Sequence, residues 1–431
     1  MSDSDTIFAL SSGAPPAALA VIRISGTQAG VVLRAMAGKL PAPRHASLRT
    51  LCDPESGGEL DRALLLWFPG PASATGEDLA ELHLHGGRAV VRAVERVLAA
   101  QPGVRLAEPG EFTRRAFQHG RIDLAEAEGL SDLLFAETEW QRQSAMALAS
   151  GRFSRCVEGW REQVLMLSAL VEAELDFSDE DDVASDSVRR LEQGAGSLMT
   201  EMDAALARPP AERLREGIRI VIAGPPNSGK STLLNRLAER DAAIVSDIAG
   251  TTRDLIEVPV AFGGVPFLLT DTAGLREDSG DAIEAIGIER AAAAIARADL
   301  VLWLGAEGEG PLHPRLWEID ARLDLAERAA KRKPLLRLSA RTGENIGALV
   351  DRLIALAADM LPPMGEAALN RRQAALITAC RDALHALEDC GDLLIAAEHL
   401  RNARRSLDAL LGHTHTEDML DALFGRFCIG K

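Results

Sequence analysis

The chain has 431 residues, 47% hydrophobic and 26% charged, a balance suited to soluble globular domains. At roughly 100–200 residues per domain, that length allows roughly two to four of them. Its 47 Lys and Arg against 64 Asp and Glu leave a net charge of −17, which excludes a generally basic nucleic-acid coat but not a local basic patch. Tyrosine is absent, and aromatic residues at 4% are too few for a base-stacking surface. Cys52, Cys156, Cys380, Cys390 and Cys428 are scattered without a C-x-x-C pair. That argues against a disulfide framework or zinc ribbon and suits a reducing cytosol. The opening MSDSDTIFAL has no basic or long apolar region, so no signal peptide is expected. No run approaches the ~18 apolar residues of a membrane span. The expectation is a cytoplasmic protein with no membrane segment.

Up to about residue 118, short β-type runs (Leu19 to Ile24, Ala63 to Phe68, Leu79 to Leu84) alternate with Gly and Pro punctuation and a helical pattern at 88–99. This predicts a small α/β domain. At Asp123-Leu124-Ala125-Glu126, an N-cap with a capping-box acid predicts entry into a long helix. Val164, Leu167, Val171 and Leu175 then keep one helical face apolar. The acidic run from Glu172 to Asp186 reads as a solvated helix end and loop, with a cation site as the lesser alternative.

Arg208-Pro209-Pro210 closes the helical stretch, and Ile218 to Ala223 follows as a continuous apolar run, the pattern of a buried parallel strand. Strand and helix patterns alternate to about 359, where Leu361-Pro362-Pro363-Met364-Gly365 forms a second linker. Beyond it, Ala396, Leu400, Ala403, Leu407 and Leu410 keep one helical face apolar. The economical reading is one helical domain split in sequence, with an α/β domain inserted through Pro-containing linkers.

Gly224-Pro225-Pro226-Asn227-Ser228-Gly229-Lys230-Ser231 matches G-x-x-x-x-G-K-[ST] between a strand and a helical pattern. There the backbone N–H groups through Ser228, Gly229 and Thr232 face phosphates, Lys230 adds positive charge, and Ser231 can ligate Mg²⁺. Asp271-Thr272-Ala273-Gly274 follows a second apolar run, with Asp271 where a strand-end carboxylate holds Mg²⁺ through water. Asp247-Ile248-Ala249-Gly250-Thr251-Thr252 resembles a first switch, in which Thr252 completes the Mg²⁺ shell. Ser339-Ala340-Arg341 follows Leu335 to Leu338, where GTPases place the loop that backs guanine. Their order and spacing predict a P-loop GTPase. The guanine-reading N-K-x-D is replaced by Ala321-Arg322-Leu323-Asp324, so Asp324 is the expected base reader without an Asn amide beside it. Gly305 to Asp320 is short for a helix plus a strand.

Several segments now carry a resemblance over essentially the whole chain. They are Asp5-Thr6-Ile7, Ile22-Arg23-Ile24-Ser25-Gly26, Thr75-Gly76-Glu77-Asp78, Pro109 to Phe117, Ile122 to Glu128 and the end Phe427-Cys428-Ile429-Gly430-Lys431. With the nucleotide motifs they resemble the bacterial tRNA-modification GTPase family called MnmE or TrmE. The resemblance implies a multidomain α/β plus α fold. An N-terminal α/β tetrahydrofolate-binding and dimerisation domain would span 1–119. A discontinuous helical domain would take 120–214 and 362–431, and an inserted Ras-like P-loop GTPase domain 215–361.

The resemblance also implies a homodimer and an FAD-containing GidA or MnmG partner in a heterotetramer, with tRNA as substrate. The product would be wobble uridine bearing an aminomethyl-type group, such as carboxymethylaminomethyl. Folate, as 5-formyl- or 5,10-methylene-tetrahydrofolate, would be held by Arg23, Glu81, Arg121 and Lys431, with Cys428 near it as a catalytic thiol. Cations suit the polyanionic tail and a carboxylate the pterin edge; the family often carries Lys where Arg121 stands. Asn227, with Ser246, Ile248 and Thr251, would coordinate K⁺. Glu284 would orient the attacking water, and Lys230 would act with it on the phosphates.

His83 and His85 share one strand face and invite a metal reading, as do His413 and His415, but a structural role is favoured for all four. Arg114, Arg115, Arg401, Arg404 and Arg405 are candidate basic spots for RNA. A GTP-driven RNA or ribosome-assembly switch is the alternative function, and an ATP-using P-loop enzyme a third.

Overall fold

The computed structural model describes residues 5–176, 184–240, 257–272, 281–325, 330–388, 390, 392–414 and 417–431, with backbone alone at 176, 184–188, 281–288 and 418. They form two compact units, Met1–Ser131 with Asp408–Lys431, and Asp132–Leu407.

The first unit opens with β1 (Thr6–Leu10), β2 (Leu19–Ser25), α1 (Ala29–Ala37), β3 (Ser47–Cys52), β4 (Glu59–Phe68), β5 (Leu79–His85), α2 (Arg88–Ala99) and β6 (Val104–Leu106). The strands make one six-stranded sheet in the order β3-β4-β5-β2-β1-β6. Only β1 and β6 pair in parallel. Period-two alternation decides the faces. Ala20, Ile22 and Ile24 join Leu82, Leu84 and Leu65 in a core with Leu33 of α1 and Val94 of α2. Arg23 is of opposite parity and lies in register with Glu81.

Two short helices follow, α3 (Glu111–Gln118) and α4 (Leu124–Leu134). The capping box at α4 is made: Asp123 N–H donates to Glu126 Oε2 at 2.9 Å, and Glu126 N–H to Asp123 Oδ1 at 2.8 Å. The expected long helix is instead broken, because α4 stops at Leu134 and Thr138 caps a new helix, α5 (Glu139–Ala149), through its own box with Gln141. A second cap signal within fifteen residues ends the first helix.

In the second unit α5 leads into α6 (Arg152–Asp176), α7 (Ala184–Leu206) and α8 (Ala211–Glu216). Val164, Leu167 and Val171 are buried. At Gly194 of α7 an added Cβ would lie 2.6 Å from Leu167, so glycine permits the close approach of these helices. Next come β7 (Ile218–Ala223), α9 (Lys230–Arg240), β8 (Glu257–Phe262), β9 (Val265–Asp271), α10 (Asp281–Arg297), β10 (Leu300–Trp303), β11 (Leu316–Asp320), β12 (Leu336–Arg337) and α11 (Ile346–Ala358). This second six-stranded sheet runs β12-β11-β10-β7-β9-β8, parallel except for β8. Strand β7 is apolar on both sides for a reason. Ile220 and Ile222 pack with Leu233 and Leu237 of α9 and Leu349 of α11, while Val221 packs with Val301, Ala294 and Ile295. Between β10 and β11 the described residues contain no helix, so the short Gly305–Asp320 stretch holds one loop and one strand.

The last helices are α12 (Arg371–His385), α13 (Leu393–Leu411) and α14 (Glu417–Phe424). The α13 stripe is as the sequence spaces it, with Leu400, Ala403, Leu407 and Leu410 all 0% exposed. Within the first unit, Leu420, Phe424 and Phe427 pack against Leu124 and Ala127 of α4. Gly110 makes that packing possible: its φ is +70°, and an added Cβ would lie 2.3 Å from the Phe424 carbonyl. Among the described residues, no helix is long and apolar enough to cross a membrane.

Candidate functional site

The loop after β7 curls over the N-terminus of α9. Asn227 adopts φ +58°, a left-handed conformation that asparagine tolerates better than most residues. Gly224 leaves room where a Cβ would press Ser228 Oγ at 2.8 Å. The loop lines a cavity of about 670 Å³ with Asn227, Gly229, Lys230, Ser231, Thr232 and Thr272, closed on the other side by Ile295, Trp303 and Glu309. Lys230 is buried, and its Nζ donates to the Pro225 carbonyl at 2.9 Å, which draws the cation against the loop. Ser231 Oγ donates to Asp271 Oδ2 at 2.5 Å. An alcohol and a carboxylate thus meet at the cavity wall, an all-oxygen pair that fits Mg²⁺. Thr272 is held by its hydroxyl, which donates to the Ile222 carbonyl at 3.1 Å. The Ser228 hydroxyl is buried without a hydrogen-bond partner among the described residues, an orphan suited to a phosphate oxygen. Helix α9 adds the positive end of its dipole.

Beyond β11, Ser339 Oγ donates to Asp324 Oδ1 at 2.7 Å, so the expected base reader and the expected base loop do meet. Ala321 is buried in the apolar core of the sheet, which explains why no amide stands at that position. Arg322 reaches back instead, donating from Nη1 to the Asn227 carbonyl at 3.4 Å. Ala340 is buried and Arg341 exposed. Sequence reasoning passed over Lys331, a buried cation that pairs with Glu318 and donates to the Trp303 carbonyl at 2.7 Å. It ties the end of β10 to Glu318 of β11, and Glu318 in turn accepts from the Gly308 N–H of the β10–β11 loop at 3.0 Å. No motif announces it.

In the first unit, Arg23 Nε donates to Glu81 Oε1 at 2.9 Å, and His83 Nε2 lies 3.3 Å from Glu81 Oε2. The pair is partly exposed, at 30% and 16%, and presents a carboxylate edged by a cation, a donor set that fits a pterin edge. His85 is engaged elsewhere, with Asp61 at 2.7 Å. Arg121 is exposed after α3, its N–H bound to the Ala116 carbonyl at 2.8 Å. The terminal tail docks on β1: Ser11 Oγ donates to the Gly430 carbonyl at 2.8 Å, and Ile429 bridges to Pro109. This leaves Cys428 exposed and Lys431 half-buried. The four residues expected to hold folate therefore occupy one unit, with Arg23 and Glu81 in contact and Arg121 and Lys431 on separate anchors.

The basic spots are corrected in part. Arg115 is buried, bonding Glu77 at 2.9 Å and Glu111 at 3.4 Å, and so holds the fold together away from solvent. Arg114 bridges to Glu417 and to Asp421, and Arg401 pairs with Glu398 at 2.5 Å. Ser246, Asp247, Ile248, Ala249, Gly250, Thr251, Thr252, Ala273, Gly274 and His415 lie outside the described residues, as do the middle of the acidic run and the side chain of Glu284, whose backbone belongs to α10.

A parallel sheet whose central strand feeds this loop, with a helix N-terminus behind it and a strand-end carboxylate on its serine, defines a P-loop nucleoside-triphosphate hydrolase. The family described as the MnmE helical domain matches residues 124–428, and that described as the GTP-binding protein TrmE N-terminus matches 6–121. The tRNA modification GTPase MnmE of Erythrobacter litoralis is 61% identical over 427 residues, covering 99% of this chain and all (100%) of its own. That of Novosphingobium aromaticivorans is 57% identical over 439 residues, with 99% and 100% covered. A solved structure of Era with MgGDPNP and 16S ribosomal RNA nucleotides is 18% identical, covering 49% of this chain and 98% of its own at a TM-score of 0.26. The chain belongs to the MnmE family of tRNA modification GTPases.

Proposed function

We propose that the chain hydrolyses GTP as a homodimer, dependent on K⁺ and Mg²⁺. With an FAD-containing partner of the GidA or MnmG kind, and tetrahydrofolate as one-carbon donor, it builds a carboxymethylaminomethyl-type group on the wobble uridine of certain tRNAs. The observation that most supports the reading is the contact of Ser231, which lines the phosphate cavity, with Asp271.

Phosphoryl transfer to water needs positioning and charge neutralisation more than covalent chemistry by the protein. Lys230 and the α9 N-terminus place positive charge at the phosphates. Ser231 and Asp271 would hold Mg²⁺ and Asn227 would take part in holding K⁺; bound there, the cations supply the charge that many GTPases borrow from an arginine finger. Asp324 accepts the ring and amino N–H groups of guanine, and Glu284 on α10 orients the attacking water. Arg23, Glu81, Arg121 and Lys431 would hold tetrahydrofolate, which supplies the one-carbon unit, and Cys428 sits on the same docked tail as Lys431.

Domains at 1–119, 120–214 with 362–431, and 215–361 complete the proposal, in a cytoplasmic setting. Mass spectrometry of wobble uridine in tRNA from cells lacking the gene tests it. The modified nucleoside should disappear and return with the wild-type gene. Unchanged modification would leave the chain a GTP-driven switch in RNA or ribosome assembly.

A further inference from the structure

Arg236 belongs to none of the nucleotide motifs. It lies on α9 beyond Ser231, yet its guanidinium reaches the base loop at two points: Nε donates to the Ala340 carbonyl at 3.2 Å and Nη2 to the Arg341 carbonyl at 3.0 Å. A planar fork of this kind sets both carbonyl directions rigidly, whereas an ammonium with freely rotating donors would hold them less firmly. In a trans peptide the C=O and the following N–H point in opposite directions. Drawing the Ala340 carbonyl toward α9 therefore turns the Arg341 N–H away from it.

The rest of the loop is tied by its own bonds. Thr342 N–H donates to Ser339 Oγ at 3.1 Å, and Ser339 Oγ donates to Asp324 Oδ1 at 2.7 Å. Hydrogen bonds and the backbone of the base loop thus link α9, whose N-terminus carries the phosphate loop, through Arg236 to Asp324. The usual Asn amide, a side chain that could brace the base site from the other strand, is replaced by Ala321.

We propose that Arg236 is the positioning residue of base recognition in this chain, fastening the Ser339–Arg341 loop to the phosphate-loop helix so that Asp324 stays aligned with guanine. This rests on reading the cavity as a guanine-nucleotide site. Arg236 does not line the phosphate cavity and spends its guanidinium on the loop carbonyls, so its removal should loosen the reading of the base while sparing the hold on phosphate.

The test is calorimetric binding of GDP, IDP and tripolyphosphate to the full chain, wild type and variants. Hypoxanthine lacks the amino group that Asp324 accepts from guanine, so wild type should prefer GDP over IDP by roughly tenfold or more. Arg236→Ala should shrink that ratio to about twofold, with tripolyphosphate affinity held within about twofold of wild type. Arg236→Lys, with a rotating ammonium in place of the rigid fork, should give an intermediate ratio, and decides the matter if the alanine variant fails to fold. An unchanged GDP-to-IDP ratio overturns the proposal, and so does an equal loss for GDP, IDP and tripolyphosphate. A wild-type ratio near one would sink the guanine reading itself, before any substitution is made.

Discussion

In the proposed reading Asp324 carries the chemistry of base choice. Its carboxylate accepts from Ser339 through Oδ1, which ties it to the base loop. Asp324→Asn would place an NH₂ group against the donors of guanine. In competition binding the variant should lose GTP and gain XTP, whose 2-carbonyl accepts a hydrogen bond. A variant that still prefers GTP would move base reading to the backbone of Ser339, Ala340 and Arg341. The meeting of Asp324 with the Ser339 loop was legible because the tetrad spacing survives when its Asn does not. Arg236 and Arg322 were not, since each acts on carbonyls about a hundred positions away in sequence, and no local pattern marks such a contact.

Arg115 shows the opposite error. Adjacent arginines suggest a nucleic-acid patch, but burial with Glu77 and Glu111 makes this one structural. Burial alone would raise the Glu111 carboxyl. The Arg105 hydrogen bonds, the Glu108 N–H and the charges of Arg105 and Arg115 outweigh it and hold the group below its ordinary 4.5. A depressed carboxylate stabilises the fold above its unfolded pKa, and that contribution is lost as pH falls through the lower folded value. Thermal melts from pH 7 downward should show wild type losing stability below about 4.5, while Glu111→Gln starts lower and falls less. Parallel curves would remove the ion pair from the account.

At the scale of elements, periodicity and caps were readable wherever one face is buried continuously. The α13 stripe is the clearest case. Leu400 is 0% exposed, so Leu400→Ala should cost about 2–5 kcal/mol in urea unfolding through the cavity it leaves. A loss under about 1 kcal/mol would mean that the helix faces solvent there. The broken helix at 135–138 was harder to read. Its apolar spacing continues across the break, and only the Thr138 box with Gln141 marks the restart. The loop between β10 and β11 was legible as a shortage of residues. Its tether, Glu318, which is held by Lys331 and accepts from the Gly308 N–H, was not, because a buried ion pair looks like two solvated charges in sequence.

At the scale of the whole molecule, the segmentation into α/β, helical and inserted α/β stretches follows from composition and linkers. The docking of Asp408–Lys431 with the N-terminal unit does not, since it depends on Phe424 and Phe427 finding α4 and on Gly110 admitting the Phe424 carbonyl. That docking sets Cys428 and Lys431 in the same unit as Arg23 and Glu81, which the proposed folate chemistry requires. Enzyme activity rests on the other unit. The most direct measurement is steady-state turnover of GTP and ATP with Mg²⁺, in K⁺ and in Na⁺ at equal ionic strength. GTP should be clearly preferred, and turnover in K⁺ should lie far above that in Na⁺. Equal turnover of GTP and ATP, or the same rate in both salts, would contradict the proposed function.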